Sequence, residues 1–198
     1  MLRKTHSLLT ILLLVVLSLT GQQAMAIRPT ILSKCDAQAA EKWVNATYSK
    51  LSPDERIAQI IIMGVKPNEG EKEREQMRHY VADQKVGGLI YETSDIVTQA
   101  SFNNYAQSLA DVPLMIALDA EWGLSMRMED AQPFPRNLLL GGVDNEKLLY
   151  DFGREVARGC RLMGVHVNLA PVLDVLDREG AILGLRSFGF SPDVEYRS

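Results

Sequence analysis

From residue 51 onward the chain alternates four times between short apolar runs and longer stretches with helical spacing. The first run, "QIIIMGV" (59–65), is β-branched enough to predict a buried strand beginning within it. "VGGLIY" (86–91), "LMIAL" (114–118) and "VHVNLAP" (165–171) predict three more strands. Between the first two lies "EGEKEREQMRHYVADQ" (69–84), a charged helix with Met77, Tyr80 and Val81 as its apolar stripe. Residues 95–110 predict a second helix, with Ile96, Ala100, Ala106 and Leu109 near one face. Residues 144–164 carry the clearest helical period, through Leu148, Leu149, Phe152, Val156, Cys160 and Met163. Asp144 is placed to cap its start and Gly164 to end it. Ahead of the first strand, Ser52-Pro53-Asp54-Glu55 spells a capping box for a short helix.

Strands that are apolar almost throughout belong in parallel sheets covered by helices. Two architectures fit that alternation. An open doubly wound sheet usually carries a glycine-rich phosphate turn after its first strand, and "MGVKPNEG" does not match one. A barrel puts its chemistry in the loops beyond the C-terminal ends of its strands, and the last two strands here both run into polar and charged residues. The expected class is therefore α/β, a parallel (β/α)8 TIM-type barrel with roughly its first four βα units present. A whole barrel takes roughly 250 residues.

Composition changes the picture mainly at the N-terminus. Arg3 and Lys4 precede the apolar stretch 8–19, and Ala24-Met25-Ala26 is a small-x-small cleavage site. Residues 1–26 are thus expected to be a signal peptide, 27–50 a polar lead-in, and 51–198 one domain. The mature protein is expected to be exported, periplasmic or secreted, with no stable membrane anchor; Lys34 before Cys35 argues against lipid attachment. Losing Arg3 and Lys4 takes the net charge from −4 to −6, which argues against nucleic acid as a partner. Two cysteines make no disulfide framework, and Cys160 falls on an apolar helix face. Asn45-Ala46-Thr47 fits a glycosylation acceptor, relevant only in a eukaryotic secretory pathway. The chain has no metal-ligand spacing, so neither a metal nor a cofactor is expected.

Candidate chemistry collects after the last two strands. If these are parallel neighbours, Asp119 and Arg127 share one loop and Asp174 and Arg186 the next, at the same end. A carboxylate accepts from two hydroxyls and a guanidinium supplies a planar fork of donors, a combination suited to a neutral polyol such as a sugar. The competing reading is a structural ion pair, with Asp119 only capping a turn. Trp122 is either a platform for a ligand or part of the wall. His166 and Asn168 alternate with Val165, Val167 and Leu169, which would let them line a barrel interior, although a satisfied structural histidine is the more ordinary reading.

At these residues the chain resembles glycoside hydrolase family three. "VGGLIY", "IALDAEWGLSMR", "FPRNLLLGG", "VHVNLAPVLDV" and "GLRSFG" occur in that family's order and spacing, from about residue 51 to the end. The "RSFG" block is more similar to its β-N-acetylglucosaminidase branch than to its β-glucosidases. The resemblance implies the N-terminal half of a (β/α)8 domain, with Asp119, Arg127 and Arg186 holding hydroxyls of the sugar in the first subsite. Glu121 and Asp174 match family positions and are expected to structure the loops. The family's lysine–histidine block, its histidine acid/base and its aspartate nucleophile would all follow residue 198, so no catalytic residue is expected in this chain. The implied enzyme hydrolyses terminal β-N-acetylglucosaminides with retention. A β-glucosidase-type member, or a non-catalytic sugar-binding fragment, remains the alternative.

Overall fold

The computed structural model describes residues 35–67, 70–176 and 183–190. The expected signal peptide, and Glu69 at the expected start of the charged helix, lie outside them. The described residues divide into two compact units, one up to Lys50 and one from Leu51 on.

The first unit is helix α1 (Ala37–Tyr48), within what the pattern reads only as a polar lead-in. Asp36 caps it, its carboxylate accepting from the backbone N–H groups of Gln38 and Ala39 at 2.9 and 3.2 Å. The helix buries none of its residues, which is why no core-facing period marks it.

The second unit opens with α2 (Pro53–Ala58). Its capping box forms as expected: Ser52 Oγ accepts from the Glu55 N–H, and a Glu55 carboxylate oxygen accepts from the Ser52 N–H. The chain continues through β1 (Ile62–Val65), α3 (Glu71–Arg78), a wide π-type turn, β2 (Gly88–Tyr91) and α4 (Ile96–Leu109). It then forms β3 (Met115–Leu118), the short α5 (Asn137–Gly141), α6 (Glu146–Leu162) and β4 (Val167–Asn168). Strand β2 starts later than its apolar run because Gly87 sits against α2. A Cβ there would lie 1.8 Å from the Gln59 carbonyl oxygen. Helix α6 is capped by Asn145, whose Oδ1 accepts from the Leu148 N–H at 3.0 Å, and not by Asp144.

All four strands are parallel and lie in sequence order, β1-β2-β3-β4. Each connection between them carries a helix, the arrangement of consecutive βα units. The register sorts side chains onto two faces. Val65, Leu89, Tyr91, Ile116 and Leu118 share the face buried under the helices, meeting Met77, Val81, Phe102, Ala106, Val156 and Cys160. The buried stripe of α4 is rotated from the expected one, through Gln99, Phe102, Asn103 and Ala106. Asn103 is inside because it works there: its Nδ2 donates to the Met163 carbonyl at 3.0 Å and ties α4 to the end of α6. The opposite, inner face carries Ile62, Gly64, Ile90, Met115, Ala117 and Val167.

His166 and Asn168 depart from the interior reading. Asn168 pairs with Leu118, and so belongs to the helix-facing side of the sheet. His166 is exposed, and its Nδ1 accepts from the Ile116 N–H at 3.0 Å. Both side chains fix backbone rather than line a barrel. Among the described residues no helix is long and apolar enough to cross a membrane.

Candidate functional site

Asp119 follows the last residue of β3, so strand alternation sends its side chain to the inner face at the C-terminal edge of the sheet. Its backbone position is held from the next strand. Asn168 Oδ1 accepts from the Ala120 N–H at 3.0 Å while its Nδ2 donates to the Ala120 carbonyl at 3.2 Å. The residue between Asp119 and Glu121 is thereby locked on both sides.

Arg127 returns to Asp119 through one tight turn (Leu124–Met126) entered by Gly123, whose φ of 82° favours glycine. Arg127 Nη2 donates to Asp119 Oδ2. The turn is also sewn to the loop after β2. The Ser94 N–H donates to the Arg127 carbonyl at 2.9 Å, and the Glu129 N–H to the Ser94 carbonyl at 3.1 Å. Asp130 then accepts from the Ile96 N–H at 2.9 Å at the start of α4. Both members of the Asp119–Arg127 pair stay partly open to solvent, and both line a cavity of about 370 Å3 with Gly64, Lys66, Ile90 and Glu92.

Arg186 ends a short turn (Gly184–Arg186) and is spoken for differently. Its Nε and Nη2 donate to Glu121 Oε1 at 3.0 and 2.7 Å. The Glu121 side chain is only 1% exposed, against 44% for Arg186. These hydrogen bonds, then the charge of Glu121, hold the guanidinium above its ordinary value, with Asp119 and Asp174 adding from further away. The Nη1 edge takes no part in the Glu121 pair.

Of the expected residues, Asp119 and Arg127 are therefore brought into direct contact. Arg186 stands in the neighbouring loop, inside the field of Asp119 but outside the lining of that cavity. Asp174 is exposed. Trp122 lies with its ring centroid 4.6 Å from the Arg136 guanidinium, a cation–π contact.

Sequence reasoning passed over Asn137, fully buried, whose Nδ2 donates to the Arg186 carbonyl at 2.8 Å. It also passed over Lys66 and Glu92 on the cavity wall. For these two a signal existed: "IMGVK" and "GLIYE" break from apolar into charge as abruptly as "MIALD" does. Among the described residues no cluster of His, Cys, Asp and Glu is arranged to hold a metal ion.

Residues 52–197 match the family described as glycosyl hydrolase family 3 N-terminal domain. A β-N-acetylglucosaminidase/β-glucosidase of Cellulomonas fimi is 24% identical over 148 residues, covering 74% of this chain and 26% of that protein. The β-hexosaminidase LpqI of Mycobacterium tuberculosis is 25% identical over 147 residues, covering 72% of this chain and 36% of that one. Among solved structures, the β-glucoside phosphorylase BglX bound to 2FGlc superposes with a TM-score of 0.70 at 26% identity, over 79% of this chain and 28% of that chain. A glycosyl hydrolase of the same family from Mycobacterium smegmatis gives 0.60 at 28% identity, over 74% and 44%. The chain thus spans about a quarter to under half of the length of these relatives.

Proposed function

The chain belongs to glycosyl hydrolase family 3, its four parallel strands and the helices between them being the start of that family's parallel (β/α)8 domain, and from that premise we propose that it supplies the sugar-holding wall of an exported, retaining β-N-acetylglucosaminidase. Asp119, Arg127 and Arg186 orient the terminal sugar. The nucleophile and the acid/base that retention requires come from sequence outside the 198 residues. Residues 1–26 direct export and are removed, 27–50 lead in, and 51–198 contribute the first half of the barrel.

The observation that carries this reading is the half-open Asp119–Arg127 pair on a cavity at the C-terminal edge of β3. A purely structural pair has no need of that placement, whereas catalytic-face ligands of a barrel are bound there. Asp119 Oδ1 and the remaining guanidinium N–H groups of Arg127 offer acceptor and donors side by side, as a vicinal diol requires. Support for N-acetylglucosamine comes from the "RSFG" block and from the hexosaminidase relatives. The likeness to a β-glucoside phosphorylase favours a second reading, a β-glucoside as substrate.

The test is made on the intact enzyme with 4-nitrophenyl β-N-acetylglucosaminide and the matching β-glucoside. Hexosaminide is expected to be turned over with the higher kcat/KM. Asp119→Ala removes charged hydrogen bonds worth about 1.5–3 kcal/mol each, so kcat/KM should fall by about 100-fold or more. An unchanged value would count decisively against sugar binding at Asp119. The 198-residue chain alone is expected to release no nitrophenol, and robust turnover would mean that its catalysts lie inside it.

A further inference from the structure

Three neighbouring strands each run one residue past their last paired position into a charged side chain. Val65 pairs with Tyr91, and Ile90 with Ala117. Counting one and two residues on from those pairs, Lys66, Glu92 and Asp119 form a single row along the C-terminal edge of the inner face. The ladder persists into this row, since the Glu92 N–H donates to the Val65 carbonyl at 2.9 Å. All three line the cavity of about 370 Å3 together with Arg127. The proposed function uses only the β3 side of that cavity.

We infer that the sugar site extends across the sheet to β1, with Lys66 and Glu92 as further ligand-binding residues that grip the opposite edge of the same sugar; this rests on the reading of Asp119 as a sugar ligand. The cavity lies within the ~300–1,000 Å3 of small-molecule sites. Its charged lining balances: Lys66 and Arg127 against Glu92 and Asp119. A balanced set of donors and acceptors selects a neutral, hydroxyl-rich ligand over an ionic one. A structural role explains Lys66 and Glu92 less well. Both are exposed, and neither takes part in the ion pairs found among the described residues. Gly64 supplies the floor, where a Cβ would meet nothing within 4 Å, so a ring can approach the backbone of β1.

The experiment compares Lys66→Met, Glu92→Gln and Lys66→Arg in the intact enzyme on both nitrophenyl substrates, with thermal midpoints recorded. Lys66→Met and Glu92→Gln are expected to raise KM at least tenfold with kcat changed less than threefold, the signature of lost ground-state binding. Lys66→Arg, which keeps a cation, should recover to within threefold of wild type. Lys147→Met, on the exposed face of α6, should change nothing. The inference is overturned if Lys66→Met and Glu92→Gln both match wild type while Asp119→Ala is crippled, since the site then stops at β3. It is equally overturned if Lys66→Arg is as impaired as Lys66→Met and both lose thermal stability in step. A wild-type enzyme that cleaves neither glycoside is a different result, read before any variant, and it removes the functional reading itself.

Discussion

At the scale of single residues, Asp119 and Glu121 lie two positions apart in the chain, each paired with an arginine, and do different work. Glu121 is sealed at 1% exposure, while Asp119 keeps 28%. Removing the partner of a buried carboxylate strands a charge, whereas a half-exposed carboxylate recovers its hydration. Arg186→Met is therefore expected to lower unfolding stability by about 2–3 kcal/mol, discounted from a fully buried pair because Arg186 itself is accessible. Arg127→Met should cost under about 1 kcal/mol, and urea midpoints of the two variants would check the order. Gly123→Ala combines a positive φ with a Cβ placed 2.7 Å from a Phe134 ring carbon. A loss of about 2–4 kcal/mol is expected there, with weakened sugar binding because Asp119 and Arg127 flank that turn. The candidates Asp119, Arg127 and Arg186 were legible because strand ends and family blocks mark them. Glu121 as the partner of Arg186, and Asn137 beneath its carbonyl, were not. Those contacts join residues 65 and 49 positions apart, and no local pattern encodes them.

At the scale of elements, caps and turns decide where pattern becomes structure. The capping box of α2 was readable because all its parts lie within four residues. Its second task was not: Glu55 also receives Lys85 Nζ at 2.8 Å, fastening α2 to the turn before β2. Lys85 holds that turn at a φ of 57°, its carbonyl accepting from Gln59 Nε2 at 2.7 Å. Hydrogen bonding from Lys85, then from Ser52, lowers the Glu55 carboxyl from its ordinary 4.5 to about 2. A group with a lowered folded value stabilises fully above its unfolded value and loses that contribution as pH falls through the folded one. Part of the acid loss of stability is thus expected between about pH 4.5 and 2. In Glu55→Gln that part should vanish, so denaturant midpoints of variant and wild type should converge toward pH 2. A constant gap between the two curves from pH 6 to 2 would refute the coupling. Helices α1 and α5 escaped the sequence reading for physical reasons. The first buries nothing, and the second has only five residues, fewer than two turns of period. The rotated stripe of α4 escaped because its buried positions include two amides, and hydropathy does not rank an amide as core.

At the scale of the whole molecule, the βα units build one finished face and one unfinished one. The helix side of the sheet is closed over Leu89, Ile116 and Leu118, each fully buried. On the inner side Ile62 and Met115 remain 46% and 49% exposed, and Leu169 beyond β4 remains 52% exposed. A barrel interior is filled by side chains converging from all eight strands, so four strands leave half of that filling absent. Among the described residues the sheet also ends in two unpaired edges, at β1 and β4. The 198-residue chain alone is accordingly expected to self-associate, seen as a concentration-dependent rise in sedimentation coefficient. Ile62→Thr, Met115→Lys and Leu169→Lys together should shift the isolated chain toward monomer with its helix content unchanged, because none of the three belongs to the buried core cluster. In the complete barrel proposed above the same three positions are expected to be interior, and Met115→Lys should then destabilise by several kcal/mol as an unpaired buried charge. The sign of one substitution thus reverses between the two proteins. A chain that stays monomeric at high concentration, or an intact enzyme indifferent to Met115→Lys, would mean that this face is not where the rest of the barrel docks.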